Sequence, residues 1–173
     1  RGGRVPSLEA VEHLRHRYQL VGGRTPLRAI TEETAHALQA ALDARAPGAY
    51  RTYVAMKHWH PFIGDVVPRI AADGIHRIIV IVLAPHYSRM GVGGYRQYLD
   101  QAIARLDTPM GVTFVESWHL QPEFIALIRD GVREGLAALT AELRNEACVV
   151  FSAHSLPVRI RSWDDPYESQ LLA

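Results

Sequence analysis

Apolar and polar positions along this chain follow two periods, one helical and one alternating. From residue 7 to 20, Leu8, Val11, Leu14 and Tyr18 recur three and four apart, which predicts a helix. Pro6-Ser7 supplies its start and Gly22-Gly23 its stop. A second helix is predicted through Ala46, with Ile30, Ala37, Leu38, Ala41 and Leu42 on one stripe. Thr25 is its expected N-cap and Pro26 its first helical residue. Residues 50–56 alternate and predict a strand; residues 61–73 predict a helix closed by Gly74. Residues 77–84 contain Ile78-Ile79-Val80-Ile81-Val82-Leu83, the strongest buried-strand signal in the chain. A glycine-rich loop (85–94), a helix (95–106), a strand (111–117) and a long helix (122–145) follow.

The last predicted strand covers residues 147–152. Val149, Val150 and Phe151 are β-formers in a continuous apolar run, which suits a strand covered on both faces. Cys148 is expected on it as a small buried apolar residue. Pro157 prevents further ladder donation, and Asp165-Pro166 caps a helix that runs to the chain end. The order α-α-β-α-β-α-β-α-β-α predicts an α/β fold: a parallel sheet with right-handed crossovers and helices on both faces. No repeat, low-complexity tract or composition shift divides the chain.

Composition narrows the partners. With 173 residues, 48% hydrophobic and 21% charged, the chain has the balance of a globular protein that builds a sizeable core. A formal net charge of +1 gives no global field for nucleic acid or an anionic membrane. Arg1, Arg4, Arg15, Arg17, Arg24 and Arg28 form a local basic cluster suited to small anions. Cys148, the one cysteine, excludes an intrachain disulfide and a cysteine-only metal site. No apolar run is long enough for a transmembrane helix, and the start Arg-Gly-Gly-Arg has neither an apolar signal region nor a methionine. The expectation is a cytoplasmic protein of which this chain is a stretch.

The candidate chemistry sits after the last strand, where Ser152, His154 and Ser155 fall at the carboxyl edge of a parallel sheet, the edge at which ligands bind. A neutral imidazole ligates borderline metals and titrates near neutrality, so His154 can accept a metal or a proton. Ser152 and Ser155 either orient it or satisfy turn backbone. His58 and His60 are disfavoured as a metal pair because Trp59 and Pro61 suggest a helix start. His86, after Leu83-Ala84-Pro85, is the better candidate for a secondary metal or proton route. His13, His16, His36, His76 and His119 read as structural. Gly91, Gly93 and Gly94 would let backbone approach a flat ligand.

The block F-S-A-H-S-L-P (151–157), followed by Arg159, Arg161, Asp164-Asp165-Pro166-Tyr167 and Gln170-Leu171, closely resembles the ferrochelatase signature. So do R-Y-x-x-x-G-G-x-T-P-L (17–27), M-K-H-x-x-P-F-I (56–63), L-A-P-H-Y-S (83–88) and V-E-S-W (115–118), and the resemblance spans nearly the whole chain. Lys57-His58, Ala84-Pro85-His86 and Tyr95 look most like the Gram-positive branch, which inserts iron into coproporphyrin III. The family usually has glycine where Asp164 stands.

The resemblance implies a Rossmann-like chelatase lobe with the porphyrin bound between two such lobes. Residues 1–160 would be the first lobe, without the family's first strand, and 161–173 would lead to a second lobe carrying the carboxylate that faces His154. It further implies His154 as the catalytic and metal-site residue, with Arg1, Arg17, Tyr18, Thr25 and Tyr95 contacting the porphyrin. Arginine suits the porphyrin carboxylates because its planar fork bonds them bidentately. Ferrous iron would be a substrate, and no cofactor is implied. Two alternatives stay open. One is the cobalt or sirohydrochlorin chelatases, which share the fold, tend to use paired histidines and have a less complete F-S-A-H-S-L-P block. The other is a porphyrin-binding lobe without catalysis, distinguished by whether a carboxylate opposes His154.

Overall fold

The computed structural model describes residues 5–173. Arg1, one of the expected porphyrin contacts, lies outside the described residues. Contacts divide the chain into two compact units, Arg1–Met56 and Lys57–Ala173.

The first unit is built on helices α1 (Leu8–Leu20) and α2 (Leu27–Arg45). Ser7 caps α1 as expected, its hydroxyl accepting the Ala10 N–H at 3.2 Å. The turn after α1 relies on Gly22 and Gly23 at φ 92° and 81°, backbone that a side chain would strain. The second helix starts one residue later than expected. Pro26 occupies its cap position, and the Thr25 hydroxyl accepts the Leu27 N–H at 3.2 Å.

The strand expected at 50–56 does not form: residues 50–55 join no ladder, and Met56 makes an isolated bridge. The segment's polar groups are satisfied from α2 instead. Gln39 accepts the Thr52 N–H through Oε1 at 2.7 Å and donates through Nε2 to the Tyr50 carbonyl at 3.0 Å. The Thr52 hydroxyl donates to the Ala35 carbonyl at 3.2 Å. One amide side chain thus does for this segment what a neighbouring strand would do.

The second unit is α/β. Strands β1 (Arg77–Ile81) and β2 (Gly111–Val115) pair in parallel, with Arg77 opposite Gly111 and Ile81 opposite Val115. Helix α3 (Ile63–Ala72) precedes β1, and α4 (Val92–Ile103) crosses over between the strands. Ile63 and Val67 of α3 pack with Leu99 and Ala102 of α4, against Ile78, Val80, Val112 and Phe114 of the sheet. Alternation along both strands puts every second side chain into this core. On β1 the opposite positions, Ile79 and Ile81, are exposed, as is Leu83 just beyond the strand.

The long helix expected at 122–145 divides into α5 (Pro122–Ala137) and α6 (Ala141–Glu146). Thr140 caps α6, its hydroxyl accepting the Leu143 N–H at 3.4 Å. The Arg144 guanidinium donates to the carbonyls of Leu136, Ala137 and Leu139 at 2.9, 3.2 and 3.0 Å. Leu136 and Ala137 end α5 and Leu139 lies just beyond its cap, so the cation binds carbonyls at the break, where the helix has run out of its own donors.

The strand expected at 147–152 does not form. Val150 and Phe151 are 81% and 73% exposed, and Cys148 is exposed rather than buried. A strand needs a ladder partner, and among the described residues only β1 and β2 make one. Beyond it come a 3-10 helix (Val158–Trp163), which the sequence pattern did not predict, and α7 (Tyr167–Leu171). The last helix ends inside the chain, at the cap Leu172.

Candidate functional site

In the second unit the candidate residues gather beyond the carboxyl ends of β1 and β2. Two hydrogen bonds lock the loops leaving these strands together. The Trp118 indole N–H donates to the Val82 carbonyl at 2.9 Å, and its backbone N–H donates to the Pro85 carbonyl at 2.9 Å. The ring of Phe124 packs edge-on against Trp118 at 4.9 Å.

The segment around α7 ties this edge to His154. The Tyr87 N–H donates to Gln170 Oε1 at 2.7 Å, and the Arg89 N–H to Asp165 Oδ2 at 2.7 Å. The Tyr167 hydroxyl donates to the His154 carbonyl at 3.0 Å. His154 therefore has a fixed backbone anchor and an exposed side chain. Ser152 and Ser155 beside it are exposed too.

Asp164 sits where glycine is usual, and it adopts the turn all the same, at φ 50° and ψ 39°. The left-handed region costs a side-chain-bearing residue about 1–2 kcal/mol. Asp165 beside it accepts the Tyr167 N–H at 3.0 Å and starts α7. Asp164→Gly in the full-length protein is expected to raise stability by up to about 1 kcal/mol, less than the relieved strain because the unfolded chain becomes freer. The denaturant midpoint reads this, and a lowered midpoint would show that the aspartate side chain contributes to the turn.

Tyr95 lies in the first turns of α4, partly buried against the Ile63–Val67–Leu99 cluster. The Lys57 ammonium stands over its ring at 4.9 Å and donates to the carbonyls of Met90 and Gly91, each at 3.4 Å. Burial lowers the Lys57 pKa from its ordinary 10.5. The helix begins at Val92, earlier than the expected residue 95, so Gly93 and Gly94 are helical. The space at Gly94 belongs to Lys57, since an added Cβ would lie 2.8 Å from Lys57 Nζ. At Gly91 it would lie 2.6 Å from the hydroxyl of Ser88, which accepts the Gly91 N–H at 2.9 Å. These glycines therefore make room for the chain's own side chains, where the sequence suggested room for a flat ligand.

His86 is brought against His119, with ring centroids 5.4 Å apart and planes at 35°. Tyr167 meets His86 edge-on at 6.3 Å. Burial first, and then the neighbouring His119, lower the His86 pKa from 6.5. His119, read from sequence as structural, has its Nδ1 buried without a hydrogen-bond partner. His58 and His60 are exposed. An open cavity of about 380 Å³ lies beside the loop, lined by Tyr87, Arg89, Arg96, Phe114 and Glu116 among others. Gly93, expected to let a flat ligand approach, is among its lining residues, whereas His154, Arg17, Tyr18, Thr25 and Tyr95 are not.

In the first unit, Arg17 and Tyr18 lie in the last turn of α1, and Thr25 lies just before α2. The Gly23 N–H donates to the Tyr18 carbonyl at 2.8 Å, which folds the turn back on the helix end. All three side chains are exposed, and their only separation along the chain is this turn. Arg17 also suits the negative end of the helix dipole. No helix among the described residues is long and apolar enough to cross a membrane.

Comparison with known proteins agrees with the motifs. The family model described as Ferrochelatase matches residues 3–173. A ferrochelatase of Herpetosiphon aurantiacus is 48% identical over 172 residues, 99% of this chain and 56% of that protein. The coproporphyrin III ferrochelatase of Oceanobacillus iheyensis is 40% identical over 172 residues, 99% of this chain and 54% of that protein. The one from Bacillus subtilis is 38% identical, again over 99% of this chain and 55% of its own length. The chain thus spans about half the length of the curated relatives it matches. With a family match that runs from residue 3 to residue 173, the chain belongs to the ferrochelatase family.

Proposed function

We propose that the full-length protein inserts ferrous iron into a porphyrin, coproporphyrin III, in haem biosynthesis. The observation that carries this reading is His154, inside an intact F-S-A-H-S-L-P block, with its ring exposed and its backbone anchored by Tyr167. Several relatives are named coproporphyrin III ferrochelatases, which supports the choice of porphyrin.

Metallation of a porphyrin removes two pyrrole protons and adds a divalent ion. On this reading His154 takes the ion or a proton on one face of the macrocycle. A carboxylate from a second lobe works on the other face. Residues 1–160 are the first lobe, and 161–173 lead to the second. Iron is a substrate, no resident cofactor takes part, and the reaction is cytoplasmic. The porphyrin carboxylates are held by Arg17, Tyr18 and Thr25 with Arg1, and Tyr95 contacts the macrocycle. The exposure of Arg17 and Thr25 at one turn supports the carboxylate assignment, since both donors are available. Tyr95 has less freedom, because its ring is engaged by Lys57 and the core.

Loss of a charge-assisted hydrogen bond costs about 1.5–3 kcal/mol. Arg17→Ala is therefore expected to weaken porphyrin binding by about tenfold or more. Quenching of porphyrin fluorescence in the full-length protein measures this, and unchanged affinity removes Arg17 from the site.

A further inference from the structure

His86 and His119 have no part in the roles above, yet the fold holds them together. The residue before each is tied to the other's loop, with the Trp118 N–H donating to the Pro85 carbonyl at 2.9 Å. The two imidazoles leave adjacent loops with ring centroids 5.4 Å apart. Two imidazoles that ligate one tetrahedral ion through nitrogens at about 2.0–2.1 Å place their centroids about 5 Å apart. His119 Nδ1 is buried and has no hydrogen-bond partner. A buried polar atom in that state calls for an occupant. Tyr167 closes one side, its ring edge-on to His86 at 6.3 Å and its hydroxyl on the His154 carbonyl at 3.0 Å. The pair is thus one tyrosine side chain away from the His154 backbone.

We infer that His86 and His119 form a two-imidazole site for a borderline divalent cation, ferrous iron in the working protein, next to His154. Imidazole suits iron, cobalt and zinc alike. Among the described residues no group of three or more His, Cys, Asp or Glu could hold a metal, so water completes the coordination. Structural metal sites use four protein ligands and keep their ion. Two neutral imidazoles release theirs, which suits an ion that must be passed on. The handing-on role rests on the iron-insertion reading, whereas cation binding does not.

The test uses the full-length protein carrying His154→Ala, so that His154 does not compete for the probe. Co²⁺ is titrated without porphyrin and followed by its visible absorption. His86→Gln and His119→Gln should each lower the Co²⁺ affinity at least tenfold, and combining them should add little. Unchanged affinity in both single variants overturns the site. An independent reading needs no variant at these two positions: the imidazole nitrogen resonances of both histidines should broaden at substoichiometric Co²⁺. If neither broadens, the buried Nδ1 is merely hydrated and the site falls. With His154 intact, His119→Gln should raise the KM for iron severalfold and leave the KM for porphyrin unchanged. Expected Co²⁺ binding with an unmoved iron KM rejects the handing-on role alone. Expected Co²⁺ binding, with no iron insertion by the full-length protein that retains His154, supports the cation site while the iron-insertion reading fails.

Discussion

In the full-length protein, His154→Ala is expected to lower iron insertion by at least about 100-fold, the smaller end of what a positioned proton-transfer group contributes. Porphyrin should still bind. The imidazole ring is exposed, and the fixed contact of this residue is made by its carbonyl, which accepts the Tyr167 hydroxyl at 3.0 Å. A change at an exposed side chain away from the packed core typically shifts stability by less than about 0.5 kcal/mol. Loss of activity in this variant would therefore report the chemistry and not unfolding. Insertion rates and porphyrin fluorescence, measured on the same preparation, separate the two. Near-normal insertion would remove His154 from the metal site and leave the F-S-A-H-S-L-P block as a turn. Tyr167→Phe makes a useful companion, because it frees the His154 carbonyl while leaving the ring in place.

Pattern reading did best where local and tertiary forces agree. The apolar density of Ile78 to Leu83 exceeds what a surface segment carries and marks a strand, and Ile78 and Val80 do face the core, although the strand expected over 77–84 stops at Ile81. Helices α1 to α4 followed from stripes that bury against a neighbour or end at glycine. The misses arise where contacts outside the local periodicity decide the outcome. Residues 50–56 alternate like a strand, but Gln39 supplies their hydrogen bonds. The apolar stripe of Leu136, Leu139 and Leu143 continues across the break at Thr140, so periodicity alone hides it. Val149 to Phe151 have strand propensity without a ladder, and propensity yields to context. At the site, His154 was visible because its motif is contiguous. His119 was not, because its meaning comes from His86, and no fixed spacing links the two. Asp164 could be flagged from sequence as a departure, but only the backbone shows that it carries the left-handed turn itself.

The 173 residues expressed by themselves are expected to be poorly soluble or molten, and inactive even with iron and porphyrin supplied. The reason lies in the sheet. Two paired strands are marginal unless further strands or helices cover them. Helices α3 and α4 cover one face, and on the other Ile79 is 62% exposed and Ile81 49%. Leu83, Val150 and Phe151 are 57%, 81% and 73% exposed. Full burial of such a side chain is worth about 1.5–3 kcal/mol. Five of them left largely uncovered forgo an amount comparable to the whole net stability of a domain, about 5–15 kcal/mol. The outer edges of β1 and β2 also present ladder groups that invite pairing between chains. The expected result is strong binding of a hydrophobic dye, a broad thermal transition and no metalloporphyrin product. The full-length protein, run in parallel, should melt cooperatively and insert iron. A sharp transition together with iron insertion by residues 1–173 alone would show that these exposed apolar positions cost far less than their area suggests, and that the catalytic groups are all within this chain.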